Sequence, residues 1–168
     1  RSGRKKAINV KSKDAHDTSN RSISSHEKNL ISSKVTILNQ ESGKVEVENK
    51  SGKVKYKLRV LDSSKPGQVC VLPIESINDG LLWAPALIDS HHAVQINTGH
   101  PYYGKVYVPN LNSNVAVQGM DALLWALSEA ELGTINEETK GHFEDLRNEV
   151  SRVLRKLVED LPEPDLEL

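Results

Sequence analysis

The residues of this chain best equipped for chemistry are Asp89-Ser90-His91-His92 and, eight positions beyond His92, His100. Imidazole nitrogen and carboxylate oxygen are competent zinc ligands, and a serine beside a histidine is the start of a nucleophile and its base. Geometry weighs against both uses. Adjacent residues on a strand point to opposite faces, so His91 and His92 share a metal only in a sharply distorted turn. No third group is identifiable to orient the His92 imidazole toward Ser90. The two histidines are therefore expected as turn residues at the tip of a hairpin, with no metal or cofactor bound.

His100-Pro101-Tyr102-Tyr103 is the most distinctive tetrapeptide. Proline fixes its own φ and pushes the preceding residue into an extended conformation, so the segment turns while two amphipathic rings are presented. Two readings stand side by side. One is a structural corner in which His100 bonds a backbone group and a tyrosine packs beneath a helix; the other is a contact with a partner. Trp83 and Trp125, the only tryptophans, lie among apolar residues and join these four as candidate interaction or corner residues.

The common catalytic signatures are missing. The chain has no Gly-x4-Gly-Lys-Ser/Thr or Gly-x-Gly-x-x-Gly phosphate loop, no Cys-x-x-Cys, no His-Glu-x-x-His and no Gly-x-Ser-x-Gly elbow. No catalytic residue is assigned, and the chain itself is not expected to be an enzyme.

The elements that hold these residues follow from periodicity. Lys34 to Leu38, Lys44 to Glu48 and Lys53 to Leu61 read as three strands of an antiparallel meander, with Val45, Val47, Val54, Tyr56, Leu58 and Val60 on one face. Gln68 to Ile74 is more continuously apolar and reads as a central strand. Leu81 to Asp89 and Ala93 to Asn97 read as a hairpin in which Pro85 confines the first strand to an edge or a bulge. Ala116 to Leu132 and about Glu137 to Glu159 read as two antiparallel helices, the second with Phe143, Leu146, Val150, Val153, Leu154 and Leu157 at helical spacing. The expected fold class is α+β, an antiparallel sheet of meander plus hairpin packed against two C-terminal helices. The first helix carries one stripe through Val117, Met120, Leu124 and Leu127 and a second patch through Leu123 with Trp125 at its margin. A second apolar face asks for a second partner, so self-association with Trp125 as an anchor is expected.

Bulk properties set the frame. At 168 residues the chain is close to a single domain, and no apolar run approaches a membrane span, so the expected location is cytoplasmic. The lone Cys70 in Val69-Cys70-Val71-Leu72 excludes an internal disulfide and is expected to be buried. The net charge of -1 hides an asymmetry: residues 1–33 hold eight Lys or Arg against three acids, whereas residues 128–168 hold twelve acids against five Lys or Arg. Residues 1–33 lack periodicity and read as a flexible basic linker, leaving 34–168 as a single α+β domain. Arg1 stands where an initiator methionine would, so a piece of a longer protein is expected. The basic arm could be drawn to nucleic acid phosphates, but it has no aromatic residue to stack on a base.

The order of motifs from about Lys53 to Pro164 carries a resemblance. Leu82-Trp83-x-Pro85, Val94-x-Ile96-Asn97-x-x-His100-Pro101-x-Tyr103, a helix ending in Ala130-Glu131-Leu132, and Leu146-Arg147-x-Glu149-Val150-Ser151-Arg152-x-Leu154 together resemble the C-terminal region of bacterial Hsp90- and MutL-like ATP-binding proteins of the GHKL group. In that group the ATP site belongs to an upstream Bergerat domain, whose Asp-x-Gly-x-Gly segment has no counterpart here. The resemblance implies a non-catalytic assembly or interaction module distal to the ATPase. Its expected partners are a second copy, the upstream ATPase domain or a client. The alternative from another class is a nucleic-acid-contacting accessory module that uses the basic N-terminal arm.

Overall fold

Valines alternating with charges in two neighbouring segments leave the backbone one comfortable solution, a sheet with one apolar face. In the computed structural model, which describes residues 2–164 with side chains from Ala15 onward, that sheet is the antiparallel meander β1 (Lys34–Asn39), β2 (Lys44–Asn49) and β3 (Gly52–Lys57). Val47 stands opposite Val35 and Val54, and Val45 opposite Tyr56, on the inner face. Glu48 stands opposite Lys34 and Lys53, and Glu46 opposite Lys55, so unlike charges meet on the outer face.

The third run does not continue to Leu61 in one sheet. It breaks at Leu58, which is buried and donates its N–H to the Gly43 carbonyl at 2.9 Å. Gly43 permits this approach: its φ is +74°, and a Cβ there would sit 2.0 Å from the Leu58 oxygen. Beyond the bend, β4 (Arg59–Leu61) joins a second, mixed sheet with β5 (Val71–Ile74), β6 (Trp83–Ile88) and β7 (His91–Asn97), in the order β4-β6-β7-β5. β6 and β7 form the expected hairpin, while β4 and β5 lie parallel to β6 and β7.

Two strand expectations are corrected. β5 is an edge rather than a central strand. Pro85, expected at an edge or bulge, lies in an inner strand. It is tolerated because β4 pairs with β6 only from Ala86 onward, so the missing N–H of Pro85 falls where the outer side of β6 has no ladder partner.

The largest correction concerns residues 1–33. Arg1 lies outside the described residues; where a flexible linker was expected, Ser2–Leu30 is a 29-residue helix, α1. Ala15, His16, Ser19, Ile23 and Glu27 recur at helical spacing and are buried. Only two of these five are apolar, so hydrophobic periodicity could not reveal the face. Asn20 Oδ1 accepts the N–H groups of Cys70 and Val71 at 2.9 and 2.8 Å, which satisfies the end of β5 that no strand covers.

α2 (Asn114–Thr134) starts at Ser113, whose hydroxyl accepts the Ala116 N–H at 3.3 Å, and α3 (Lys140–Leu157) follows after a short loop. Between the helices and sheets lie two apolar cores. One gathers Trp83, Val94, Ile96, Tyr103, Tyr107, Leu124 and Trp125 with Ala15 and Ile23 of α1; the other gathers Val45, Val47, Val54 and Leu58 with Leu87, Leu132 and Ile135. Cys70 is buried in the first, and burial pushes its thiol pKa up. Among the described residues no helix is long and apolar enough to cross a membrane.

Candidate functional site

Proline at 101 turns the chain out of β7, and the following residues wind into a short π-helical turn, Tyr103–Tyr107. His100 is buried at the root of this corner. Its Nε2 donates to the Ser151 carbonyl of α3 at 2.8 Å, and its Nδ1 accepts the Tyr102 N–H at 3.0 Å. Burial holds the His100 pKa below the usual imidazole range, with the Arg155 charge adding to the effect and the Ser151 carbonyl opposing it. Pro101 is exposed and Tyr102 half-buried, while Tyr103 and Tyr107 stack beneath α2 with ring centroids 4.7 Å apart.

Behind the corner lies a sealed polar cluster. His16 Nδ1 of α1 lies 2.6 Å from Asp121 Oδ2 of α2, Tyr107 donates to Asp121 Oδ1 at 2.9 Å, and the Tyr103 hydroxyl lies 3.1 Å from His16 Nε2. Burial and the Asp121 charge push the Tyr107 phenol far above its ordinary range. A histidine, a carboxylate and two phenols are chemically able groups, but His16 is 1% and Asp121 0% exposed. The cluster pins α1 to α2.

Asp121 is one of three acids in α2, and the other two are treated alike. Glu129 is buried against His92 Nδ1 at 2.6 Å and accepts the Ser32 N–H at 2.8 Å. Glu131 is buried between Tyr56 of β3 and Arg147 of α3, which both donate to it. Every charge on α2 thus points inward and is spent on holding a neighbouring element. The outward face carries Val115, Gly119, Ala122, Leu123, Ala126, Leu127 and Ala130, with Val115 86%, Leu123 61% and Leu127 38% exposed. Leu146, Val153 and Leu157 of α3 are exposed as well.

The residues singled out from sequence separate accordingly. Trp83 is core. Trp125, expected to anchor an interface, is buried and donates its indole N–H to the His92 carbonyl at 3.2 Å. The leftover apolar patch is Leu123 with Leu127. His91 and His92 lie in β7 rather than at the hairpin tip, which is formed by Asp89 and Ser90 at φ of 53° and 66°. They diverge: His91 reaches Glu27 of α1 at 2.9 Å, and His92 reaches α2. The Ser63 hydroxyl donates to Asp89, and with the Ser63 N–H bond at 2.8 Å it holds the carboxyl below the usual range.

Sequence reading missed His16, Asp121, Glu129 and Arg147. The signal was there for the acids, because Asp121, Glu129 and Glu131 fall on the same side of α2 as Val117, Leu124 and Trp125 rather than opposite them. Comparison with protein-family models, curated proteins and solved structures finds no match.

Proposed function

We propose that this chain is a non-catalytic assembly module of a larger GHKL-type ATPase, lying distal to the ATP site, and that it docks the outer face of α2 against a second copy of itself. The observation that carries the docking role is the inverted charge pattern of α2. Burying a carboxylate is costly unless it is paired, yet all three acids are buried while the solvent side has no charge at all. Depletion of charge around apolar anchors marks the centre of protein interfaces. A second copy is the favoured occupant because an uncharged face offers nothing for a charged partner to complement. Its glycine and alanines also allow two helices to approach closely across a two-fold axis. The ATPase side of the proposal rests on the order of motifs between Lys53 and Pro164.

Leu123→Glu tests the docking role, since it places a charge at the centre of the face without touching a core contact. Loss of the dimer with an unchanged circular dichroism spectrum supports the proposal; a variant that associates as the wild type does contradicts it.

A further inference from the structure

β3 pairs with β2 on one side and, among the described residues, with no strand on the other. The bond from the Leu58 N–H to the Gly43 carbonyl fixes the phase of that ladder. Hydrogen-bonded pairs alternate along antiparallel strands, so Tyr56, Val54 and Gly52 spend their backbone groups on β2, whereas Lys57, Lys55 and Lys53 turn theirs away from it. All three lysines are exposed, and among the described residues their backbone groups bond no other element. With Lys34 and Lys44 they leave the outer face of the meander net positive, since Glu46 and Glu48 are its only acids. Beside β3 a cleft of about 950 Å³ separates Lys55, Tyr56 and Lys57 from Glu144, Asp145 and Arg147 of α3, which leaves room for a further strand along the edge. The β5 edge is closed by comparison: Asn20 takes the N–H groups of Cys70 and Val71, and Pro73 has none to offer.

We propose that the β3 edge takes up an extended acidic segment of a partner protein as a fourth, antiparallel strand of the meander. In strand addition the main chain supplies affinity and alternate side chains supply specificity. Partner residues directly opposite Lys53, Lys55 and Lys57 share their face, so that face selects aspartate or glutamate. The residues between them turn inward beside Val54 and Tyr56 and are apolar, because Glu144 and Asp145 repel an acid turned toward α3. A second copy of β3 is excluded as the occupant, since antiparallel pairing of two such edges sets lysine against lysine. Nucleic acid is the poorer fit: phosphate oxygens only accept, and would leave the outward carbonyls of the edge unmatched. No residue of the outer α2 face lines the cleft, so the site does not depend on the assembly role.

The test is a nitrogen-15 nuclear magnetic resonance titration of the whole chain at constant ionic strength, following the backbone amides of Lys53, Lys55 and Lys57. The probe is a short peptide of alternating valine and glutamate, acetylated and amidated at its ends. It should shift the three amides saturably with Kd below about 1 mM and slow their hydrogen exchange about tenfold or more. The same peptide methylated on its glutamate nitrogens keeps its charge but loses the donors that meet the edge, and should not bind. Lys57→Glu, which sets an acid opposite Lys44 and so keeps the strand paired, should weaken binding about fivefold, and a peptide of alternating valine and lysine should then bind better than the acidic one. Absence of a saturable shift to about 5 mM would overturn the proposal. So would binding that survives methylation, or an oligothymidylate that shifts the three amides as strongly as the peptide, because the lysines would then attract negative charge of any kind.

Discussion

Among the described residues His16 is the one α1 side chain that reaches Asp121, and replacing it with alanine leaves a fully buried carboxylate that keeps the Tyr107 hydroxyl as a donor. Removing one partner of a buried ion pair or charge-assisted hydrogen bond costs about 3–5 kcal/mol, because the other partner stays behind desolvated. For a chain of this length each kcal/mol lowers the thermal midpoint by about 2–4 °C, so His16→Ala should lose roughly 6–20 °C. Arg21→Ala is the control: Arg21 bonds only Thr18 on the exposed side of α1, and its loss should stay within about 0.5 kcal/mol. Replacing both members, as His16→Leu with Asp121→Leu, should recover part of the loss, since no unpaired charge then remains buried. Calorimetric melts of the four proteins, with near-ultraviolet circular dichroism to confirm the native fold, give the comparison. If His16→Ala melts with the wild type, α1 is not held to the body, and the flexible-linker reading of residues 1–33 returns.

Other consequences follow from the same contacts. Removing residues 1–33 uncovers the Cys70 and Val71 N–H groups held by Asn20 and the thiol that Ser24 faces at 3.4 Å, so the truncated chain should melt lower and Cys70 should react faster with an aromatic disulfide reagent; unchanged reactivity would contradict the packing of α1. The folded His100 ring has its pKa below the ordinary value, so the unfolded chain binds protons more readily. The stability that the neutral ring contributes is therefore present above about pH 6.5, the unfolded value, and is lost as the pH falls through the folded pKa. Melts between about pH 7.5 and about pH 5 should show a decline that is shallower in His100→Gln, and identical slopes would refute the assignment. Titration with ATP and Mg²⁺ should give no saturable binding tighter than about 100 μM, because no phosphate loop or Asp-x-Gly-x-Gly segment is in the sequence.

How much of this was legible depends on which interactions hold each element. The meander could be read because Val45, Val47 and Val54 alternate with Glu and Lys, and alternation is what a one-faced sheet requires. α2 and α3 were located to within a few residues by their apolar spacing. α1 escaped because its buried face is His16, Ser19 and Glu27 interrupted by two apolar residues, with half-buried Asn20 beside them, and polar contacts leave no hydrophobic period. The parallel pairing of β4 and β5 escaped for another reason. Partners such as Arg59 with Ala86 are distant in sequence, and three- and four-residue strands carry little pattern of their own. A second apolar patch on α2 was anticipated through Leu123, but Leu127 was assigned to the covered stripe and the anchor to Trp125, because a tryptophan beside leucines reads equally well as core or as interface. Only the buried partners of Asp121, Glu129 and Glu131 show which side of the helix is turned inward.

Sedimentation equilibrium of the whole chain, from about 1 to about 100 μM, reaches the central claim most directly. Two copies joined through Leu123 and Leu127 should give a reversible dimer whose Kd lies below about 100 μM, near -5.5 kcal/mol, and Leu123→Glu should sediment as a monomer throughout that range. A wild-type chain that remains monomeric at about 100 μM would contradict the account, because the uncharged face of α2 would then have no copy of itself to meet.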